Sequence, residues 1–421
     1  MSTKPIHPPS AQPARHHINV LGQLLKYIPR SIVNAAAIEH GVEARARTFS
    51  IFSHMAAMIF VQLAHALSLN DVCDWLRLKV RAIAGLGIAP PSRNNLSHAN
   101  KTRTAAFIET VFWKTLDHLH RCEPAFGGKR KNRRLLHRFK ANVHAVDSTT
   151  IELVANCMDW AQHRRRKAAA KMHLRLNVGN FLPAFAIVDT AGENDNKRAR
   201  EACAGLESGE IGVFDKAYVD YLHLHDLDAR GVQWVTRAKD NFKYRAVRNL
   251  PVPKGGRILK DQIIVLAGAK WKQKLKGWTL RRVEAIVEVD GKDKVMVFIT
   301  NNTEWSAGSV CDLYRARWEI EVFFKQVKQT LRLSGFVGYS ANAIRWQVWT
   351  ALLVYVLLRF AAHLSAWGHS FTRLFAVVRA AIWERLDMLI LLRSYGTAGG
   401  SFKILGAAHS AWLPGFEPKT T

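Results

Sequence analysis

Apolar positions along the chain fall into three regimes. Up to residue 127 they recur with helical spacing. Ile51 to Leu67 (IFSHMAAMIFVQLAHAL) reads as a buried helix, and Ser68 opens a capping box with Asp71 three residues on. A second helix is expected to about Ala84, where Gly85, Gly87 and the pair Pro90 and Pro91 end it. Ser92 is placed to cap a third helix, a polar one carrying Arg93, Asn94, Asn95, His98, Asn100, Lys101 and Arg103.

At Asn142 the pattern changes to short β-branched runs. VHAVDSTTIEL predicts a strand with Asp147 near its middle or end; MHLRLNVGN and FLPAFAIVD follow a basic loop, His163 to Lys171, and open an antiparallel sheet. Helix and strand then alternate: helix from Asn194 to Leu206, strand Ile211 to Asp215, helix Ala217 to Arg230, strand Val232 to Arg237. Such a series adds parallel strands to a mixed sheet with helices on both faces.

From Asp240 to Asn302 the alternation resumes around a turn at Asp290 and Gly291, and the next helix comes only at Ala307 to Leu331. A β-rich insertion into the sheet domain is therefore expected. Two or three helices from Asn342 to about Leu392 close the chain, with a Gly-rich, loosely organised tail from 395 to 421. The most apolar stretch, Val348 to Leu358, stops at Arg359, is too short to cross a bilayer, and reads as a core helix.

The expected organisation is a mobile basic arm (1–17), a helical N-terminal domain (18–127), a basic linker (128–141), and a sheet core in two parts (142–239 and 306–335). An insertion (240–305) separates those parts, and C-terminal helices and a tail (336–421) follow.

Composition narrows the partners. With 421 residues and 48% hydrophobic content the chain can bury a full core over two or three domains. Lys and Arg number 61 against 33 Asp and Glu, a net charge of +28, which points to a polyanion. The charge recurs along the whole chain and is not gathered in one amphipathic helix, so nucleic acid is expected and a membrane is not. Five cysteines without a C-x-x-C pair exclude a usual zinc module and suit a reducing cytoplasm, and the Pro- and His-rich start lacks the apolar run of a signal peptide.

Six Lys or Arg occupy the ten positions Lys129 to Arg138, among them Lys129, Arg130, Arg133 and Arg134, a run suited to lie along phosphates. In the third helix Arg93, Asn94 and Asn95 are the side-chain types that read guanine and adenine edges, and the helix-turn-helix order fits a DNA-reading layout. An ordinary bundle with a polar face is the alternative.

The candidate chemistry centres on Tyr314 to Lys328 (YRARWEIEVFFKQVK), which has no Gly or Pro. At about 100° per residue, Arg317, Glu321 and Lys328 fall within about 60° of Tyr314 and Lys325 within about 20°. Glu319 projects about 160° from Glu321, so only Glu321 joins this stripe. Asp147 on the first strand, Asp215 at the end of the fourth and Glu321 on the helix over them converge if those strands are neighbours. Three carboxylates without a compensating cation call for a hard divalent ion such as Mg²⁺. Asp189, Glu193 and Asp195 read as caps and turn formers, His144 and His173 as sheet residues, and Trp271 and Trp278 as core rather than as wedges for a flipped base.

The spacing Tyr314, Arg317, Glu321, Lys328, with Asp147-Ser148-Thr149 and Asp215-Lys216-Ala217-Tyr218 upstream in that order, resembles the insertion sequence 4 family of bacterial DDE transposases. The likeness covers about residues 142–333, with the N-terminal helices less distinctive; Lys216-Ala217 stands where many relatives have Arg-Gly.

The resemblance implies an α/β, RNase H-like mixed-sheet catalytic core with a β-rich insertion, a helical N-terminal DNA-binding domain and C-terminal helices. It implies Asp147, Asp215 and Glu321 as catalytic metal ligands for two Mg²⁺ ions, replaceable by Mn²⁺. Tyr314, Arg317, Lys325 and Lys328 are expected on phosphates. The partners implied are double-stranded DNA, as element ends and target, and a second copy of the chain on that DNA, in the cytoplasm at the nucleoid. The reaction implied is cleavage at the ends of its own element and joining to a target; a catalytically inactive DNA-binding derivative and an RNase H-like nuclease without strand transfer are the alternatives.

Overall fold

The computed structural model describes residues 14–42, 49–128, 138–153, 157, 162–164, 167–190, 195–252, 254–289, 291–331, 333 and 335–395. The basic run 129–137, the tail 396–421 and Glu193 lie outside the described residues.

Among the described residues the strands are β1 (Val143–Leu153), β2 (Gln162–Arg164), β3 (Lys167–Asn177), β4 (Leu182–Thr190), β5 (Ile211–Phe214), β6 (Gln233–Arg237), β7 (Tyr244–Asn249), β8 (Ile258–Leu266), β9 (Thr279–Val289) and β10 (Lys292–Thr300). They form one sheet in the order β2-β3-β1-β5-β6-β10-β9-β8-β7, with β4 also paired to β3. β1 to β5 and β5 to β6 are parallel and the other pairings antiparallel. Val146 stands beside Phe214 in the β1–β5 register, so the next residues, Asp147 and Asp215, follow on neighbouring strands at the point where β5 ends and β1 runs on to Leu153. This is the mixed α/β sheet of an RNase H-like fold.

Strand alternation assigns the two faces. Val143, Ala145 and Val213 join a core with the N- and C-terminal helices, whereas Val146, Phe214 and Trp234 face the opposite layer. The segment expected as an insertion does not stand apart: β10 pairs with β6 and carries β9, β8 and β7 outward as a continuation of the same sheet. A buried Arg281–Asp261 ion pair, bidentate at 2.8 and 2.6 Å, fixes β9 to β8. The same guanidinium reaches the carbonyl of Thr303 at 3.2 Å and so ties this extension to the start of the next helix.

The helices are α1 (Val20–Leu25), α2 (Arg30–Glu39), α3 (Ile51–Ala64), α4 (Leu69–Leu78), α5 (Val80–Ala84), α6 (Arg93–Thr102) and α7 (Ala106–Cys122) before the sheet. Within or after it come α8 (Asp195–Cys203), α9 (Tyr221–Ala229), α10 (Ala269–Lys274), α11 (Ala307–Ala316), α12 (Glu319–Lys325), α13 (Ala341–Leu364), α14 (Phe371–Ala380) and α15 (Met388–Tyr395). The caps read from sequence form: Ser68 and Asp71 make the reciprocal box, and the Ser92 hydroxyl accepts from the Asn95 N–H. The helix expected to Ala84 breaks at Lys79 into α4 and α5, and α3 ends at His65 in the left-handed region.

Helix α13 is long and apolar enough to cross a membrane, longer than its apolar stretch suggested, but most of it is buried inside the protein against α3, α6 and α7. N- and C-terminal helices thus share one core. Residues 14–17, expected in a mobile arm, are held by Arg15 bridging Leu386 and the His16 N–H bonding the Arg385 carbonyl at 2.8 Å.

One polar cluster fixes α6 to α13. The Asn342 amide donates to the carbonyls of Asn100 (2.8 Å) and Arg103 (2.7 Å), and the Trp346 indole N–H reaches the same Arg103 carbonyl at 2.7 Å. His54 Nε2 donates to Asn100 Oδ1 at 2.8 Å within this cluster. Burial first, then the nearby Arg103 charge, drive the His54 pKa down to about 3 against the opposing pull of the Asn100 bond. Burial likewise lowers His223, to about 4.

Each imidazole takes up a proton in the unfolded chain near pH 6.5 that the folded chain refuses. Their stability contribution is complete above that pH and is lost as pH falls towards these depressed values. Thermal melts at pH 8 and pH 5 should show His54→Gln losing less stability on acidification than the parent, by about 1.4 kcal/mol per pH unit below pH 6. Equal losses in both proteins would contradict the assignment.

Candidate active site

The stretch Tyr314 to Lys328 is not the single regular helix expected. α11 ends at Ala316, Arg317 and Trp318 keep right-handed dihedrals in a tightened turn, α12 follows, and Gln326–Thr330 widens into a π-helical turn. The tightening shows in the Arg317 N–H to Tyr314 carbonyl bond at 3.1 Å. The widening shows in the Leu331 N–H to Gln326 carbonyl bond at 3.3 Å.

Three side chains of this stretch reach the sheet or the turn that follows it, and Glu321 is bonded to one of them. The Tyr314 hydroxyl donates to Asp215 Oδ1 at 3.5 Å. Arg317 donates to Asp147 Oδ2 at 2.7 Å and to Glu321 Oε1 at 2.8 Å. Lys328 Nζ donates to Thr149 Oγ1 at 3.2 Å and to the Thr150 carbonyl at 2.8 Å.

Asp147, Asp215 and Glu321 are therefore gathered around Asp147. The expectation that no cation compensates them is corrected, because the Arg317 guanidinium lies between Asp147 and Glu321. Among the described residues no three carboxylate, His or Cys groups stand ready to hold an ion as they are. The donor set itself is hard oxygen without His or Cys, which suits a divalent ion of the Mg²⁺ type once the guanidinium yields.

Electrostatics follow from burial. Desolvation pushes Asp147 up to about 6, and Asp215 and Glu321 push in the same direction, against Arg317 and the Ser148 N–H bond at 2.8 Å. Burial also lifts the Tyr314 hydroxyl to about 12, so it remains a donor to Asp215. Burial pulls Arg317 down, but Asp147, Tyr314 and Glu321 together raise it, so it stays charged. The Asp215 carboxylate also caps its own turn, accepting from Ala217 N–H at 3.4 Å, and Lys216 pairs with Asp240 at 3.2 Å.

Other expected residues sort clearly. Lys325 is exposed beside the cluster, and Arg93, Asn94 and Asn95 are exposed on α6, which is far more deeply used at its other end, where Asn100 and Arg103 are structural. Lys129, Arg130, Arg133 and Arg134 lie outside the described residues, while Arg138 pairs with Asp312 on α11.

Asp189 is not a turn former: it lies on β4 and pairs with Arg198. Asp195 opens α8. His144 pairs with Glu210 at 3.1 Å and His173 contacts the Tyr218 hydroxyl at 3.4 Å, both from the sheet. Trp278 is a core residue bonded to Asp228 at 2.6 Å, and Trp271 packs edge-on against Tyr221. Of the partners of Lys328, Thr149 belongs to the Asp147-Ser148-Thr149 motif, whereas Thr150 carried no signal in the sequence.

Comparison with known proteins follows this geometry. A family model described as Transposase DDE domain matches residues 138–357, and one described as Domain of unknown function (DUF4372) matches residues 16–89. The chain is 29% identical over 306 residues to the putative transposase y4zB of Sinorhizobium fredii, covering 72% of this chain and 81% of that protein. It is 29% identical over 232 residues to the probable transposase for insertion sequence element IS5377 of Geobacillus stearothermophilus, covering 55% and 59%. It is 25% identical over 197 residues to the transposase InsG for insertion sequence element IS4 of Escherichia coli, covering 45% and 43%.

Removing the guanidinium leaves a mostly buried carboxylate without its cation. Because Glu321 is largely exposed, the loss lies below that of a fully buried pair. Chemical denaturation in the presence of a chelator should place Arg317→Met about 2 kcal/mol below the parent, with Arg317→Lys between them. A variant as stable as the parent would show that the bridge contributes nothing.

Proposed function

We propose that this chain, which belongs to the Transposase DDE domain family, binds the terminal repeats of its own insertion sequence and works by cut-and-paste, with Asp147, Asp215 and Glu321 as its catalytic carboxylates. Its activity is that of an insertion-sequence transposase, cleaving and joining DNA. Enzymes of this family work with divalent metal ions. The observation that supports the residue assignment is that Asp215, at the end of β5, and Glu321, on α12, both act on Asp147 of β1, with Arg317 bonded to Asp147 and Glu321.

In this reading Asp147, Asp215 and Glu321 would together hold two Mg²⁺ or Mn²⁺ ions. Bound there, the ions supply Lewis acidity for in-line displacement at phosphorus. The protein's own groups do the remaining work. Arg317 leaves at least one carboxylate and turns its fork to a DNA phosphate, a bidentate geometry that a lysine cannot reproduce. Lys328, held on Thr149 and Thr150, adds positive charge beside the scissile bond, and Lys325 adds a further phosphate contact from the exposed side. Tyr314 keeps Asp215 oriented.

Double-stranded DNA is the partner the net charge of +28 supports. The exposed Arg93, Asn94 and Asn95 of α6 are assigned to reading the element ends, and Lys129, Arg130, Arg133 and Arg134 to sequence-independent phosphate contact. Two copies on paired ends are the expected assembly, acting in the cytoplasm at the nucleoid.

Incubated with Mg²⁺ and linear DNA carrying the sequences that flank its gene, the protein should give hairpin or joined products. Asp147→Ala, Asp215→Ala and Glu321→Ala should each lose them by a factor of about a thousand or more. Glu319→Gln should cleave normally and Glu321→Gln should not; the reverse would overturn the helical register. Binding without chemistry favours an inactive DNA-binding derivative, and cleavage without joining favours a nuclease.

A further inference from the structure

The wide turn at the end of the Tyr314–Lys328 helix is held from outside the sheet. Carbonyls in the last turn of a helix run out of in-helix donors. That of Thr330 is met by His65 Nε2 at 2.8 Å, and His65 belongs to the end of α3, 265 positions earlier in the chain.

His65 is held at both ring nitrogens and on one ring face. Its backbone is left-handed, with φ at 57° and ψ at 45°, an uncommon state for a residue with a Cβ. It stacks on Phe375 at 4.8 Å between centroids. Arg379 Nη1 lies 3.2 Å from His65 Nδ1, and a guanidinium only donates, so Nδ1 is the acceptor and Nε2 carries the hydrogen. That tautomer is the one able to donate to Thr330.

We propose that His65 is a positioning residue for phosphoryl transfer. It clamps the Thr330 carbonyl, and the clamped π-turn keeps Lys328 on Thr149 and Thr150 beside Asp147. The inference rests on the reading of the carboxylate site given above. The geometry behind it is independent of that reading: the Leu331 N–H to Gln326 carbonyl bond at 3.3 Å and the Leu333 N–H to Lys328 carbonyl bond at 3.1 Å define a turn whose Thr330 carbonyl is met by His65. Thr372 of α14 adds a second brace at the Thr330 hydroxyl, 3.2 Å away.

The test compares the full-length parent, His65→Gly and His65→Gln. Glycine adopts the left-handed backbone without strain, so that variant should fold and melt within a few degrees of the parent. Hydrogen exchange at the Leu331 and Leu333 amides should then quicken by about tenfold or more. With Mg²⁺ and linear DNA carrying the flanking sequences, its single-turnover cleavage rate should fall by about tenfold or more while the half-saturating DNA concentration stays unchanged. Glutamine, whose amide can donate to Thr330, should restore most of both.

Parental exchange and parental cleavage in His65→Gly would overturn the proposal, as would a loss seen only in DNA binding. Exchange requires no chemistry, so an altered exchange rate alongside a parent that cleaves nothing overturns the carboxylate reading and leaves the clamp standing.

Discussion

The Arg317 guanidinium, almost wholly buried and spanning Asp147 and Glu321, is the interaction on which the rest of the site depends. Without it, ionised Asp147 would face Asp215 and Glu321 in a setting where burial already lifts its pKa to about 6 against the pull of Arg317. With it, α11 and α12 are fastened to the middle of β1, just past the point where its pairing with β5 ends. In the proposed reading, the same contact that stabilises the folded chain engages the carboxylates that would hold a divalent ion. Stability and chemistry therefore make opposite demands on one side chain, as they commonly do at active sites.

The surrounding architecture supplies rigidity to that point from three directions. The parallel β1–β5 pair sets the two aspartates in register. The β7–β10 extension is anchored by the buried Arg281–Asp261 pair, and through the Thr303 carbonyl it fixes where α11 begins. The joined N- and C-terminal helices bear on the far end of the π-turn through His65 and Thr372. Polar side chains, not apolar area alone, decide how these layers meet: Asn342 and Trp346 hold the end of α6 as firmly as any core contact.

Much of this was legible from the chain. Strand alternation and the helix-strand order were enough for the mixed sheet, because a side-chain period of two assigns each face directly. Ser68 with Asp71 and Ser92 announced their caps by local chemistry. The Tyr314, Arg317, Glu321, Lys328 spacing announced the stripe. The irregular turns at Arg317–Trp318 and Gln326–Thr330 were not legible, since a wheel assumes a uniform 100° and both turns arise from contacts with distant elements. The cation between the carboxylates was missed although Arg317 had been placed in the stripe: one helix alone does not say whether a side chain points to solvent or to a neighbouring strand. Asn100 and Arg103, at the end of the polar third helix, turn inward for reasons the helix alone does not show: the Asn100 side chain meets His54 on α3, and the Arg103 guanidinium donates to the Ser50 carbonyl.

The most direct measurement of the central claim is Mn²⁺ binding to the DNA-free protein, followed by electron paramagnetic resonance in the parent, Arg317→Met and Asp147→Asn. If the guanidinium holds the carboxylates that would otherwise take the ion, Arg317→Met binds Mn²⁺ more tightly than the parent and Asp147→Asn more weakly than either. Equal or weaker binding by Arg317→Met, or undiminished binding by Asp147→Asn, would contradict it.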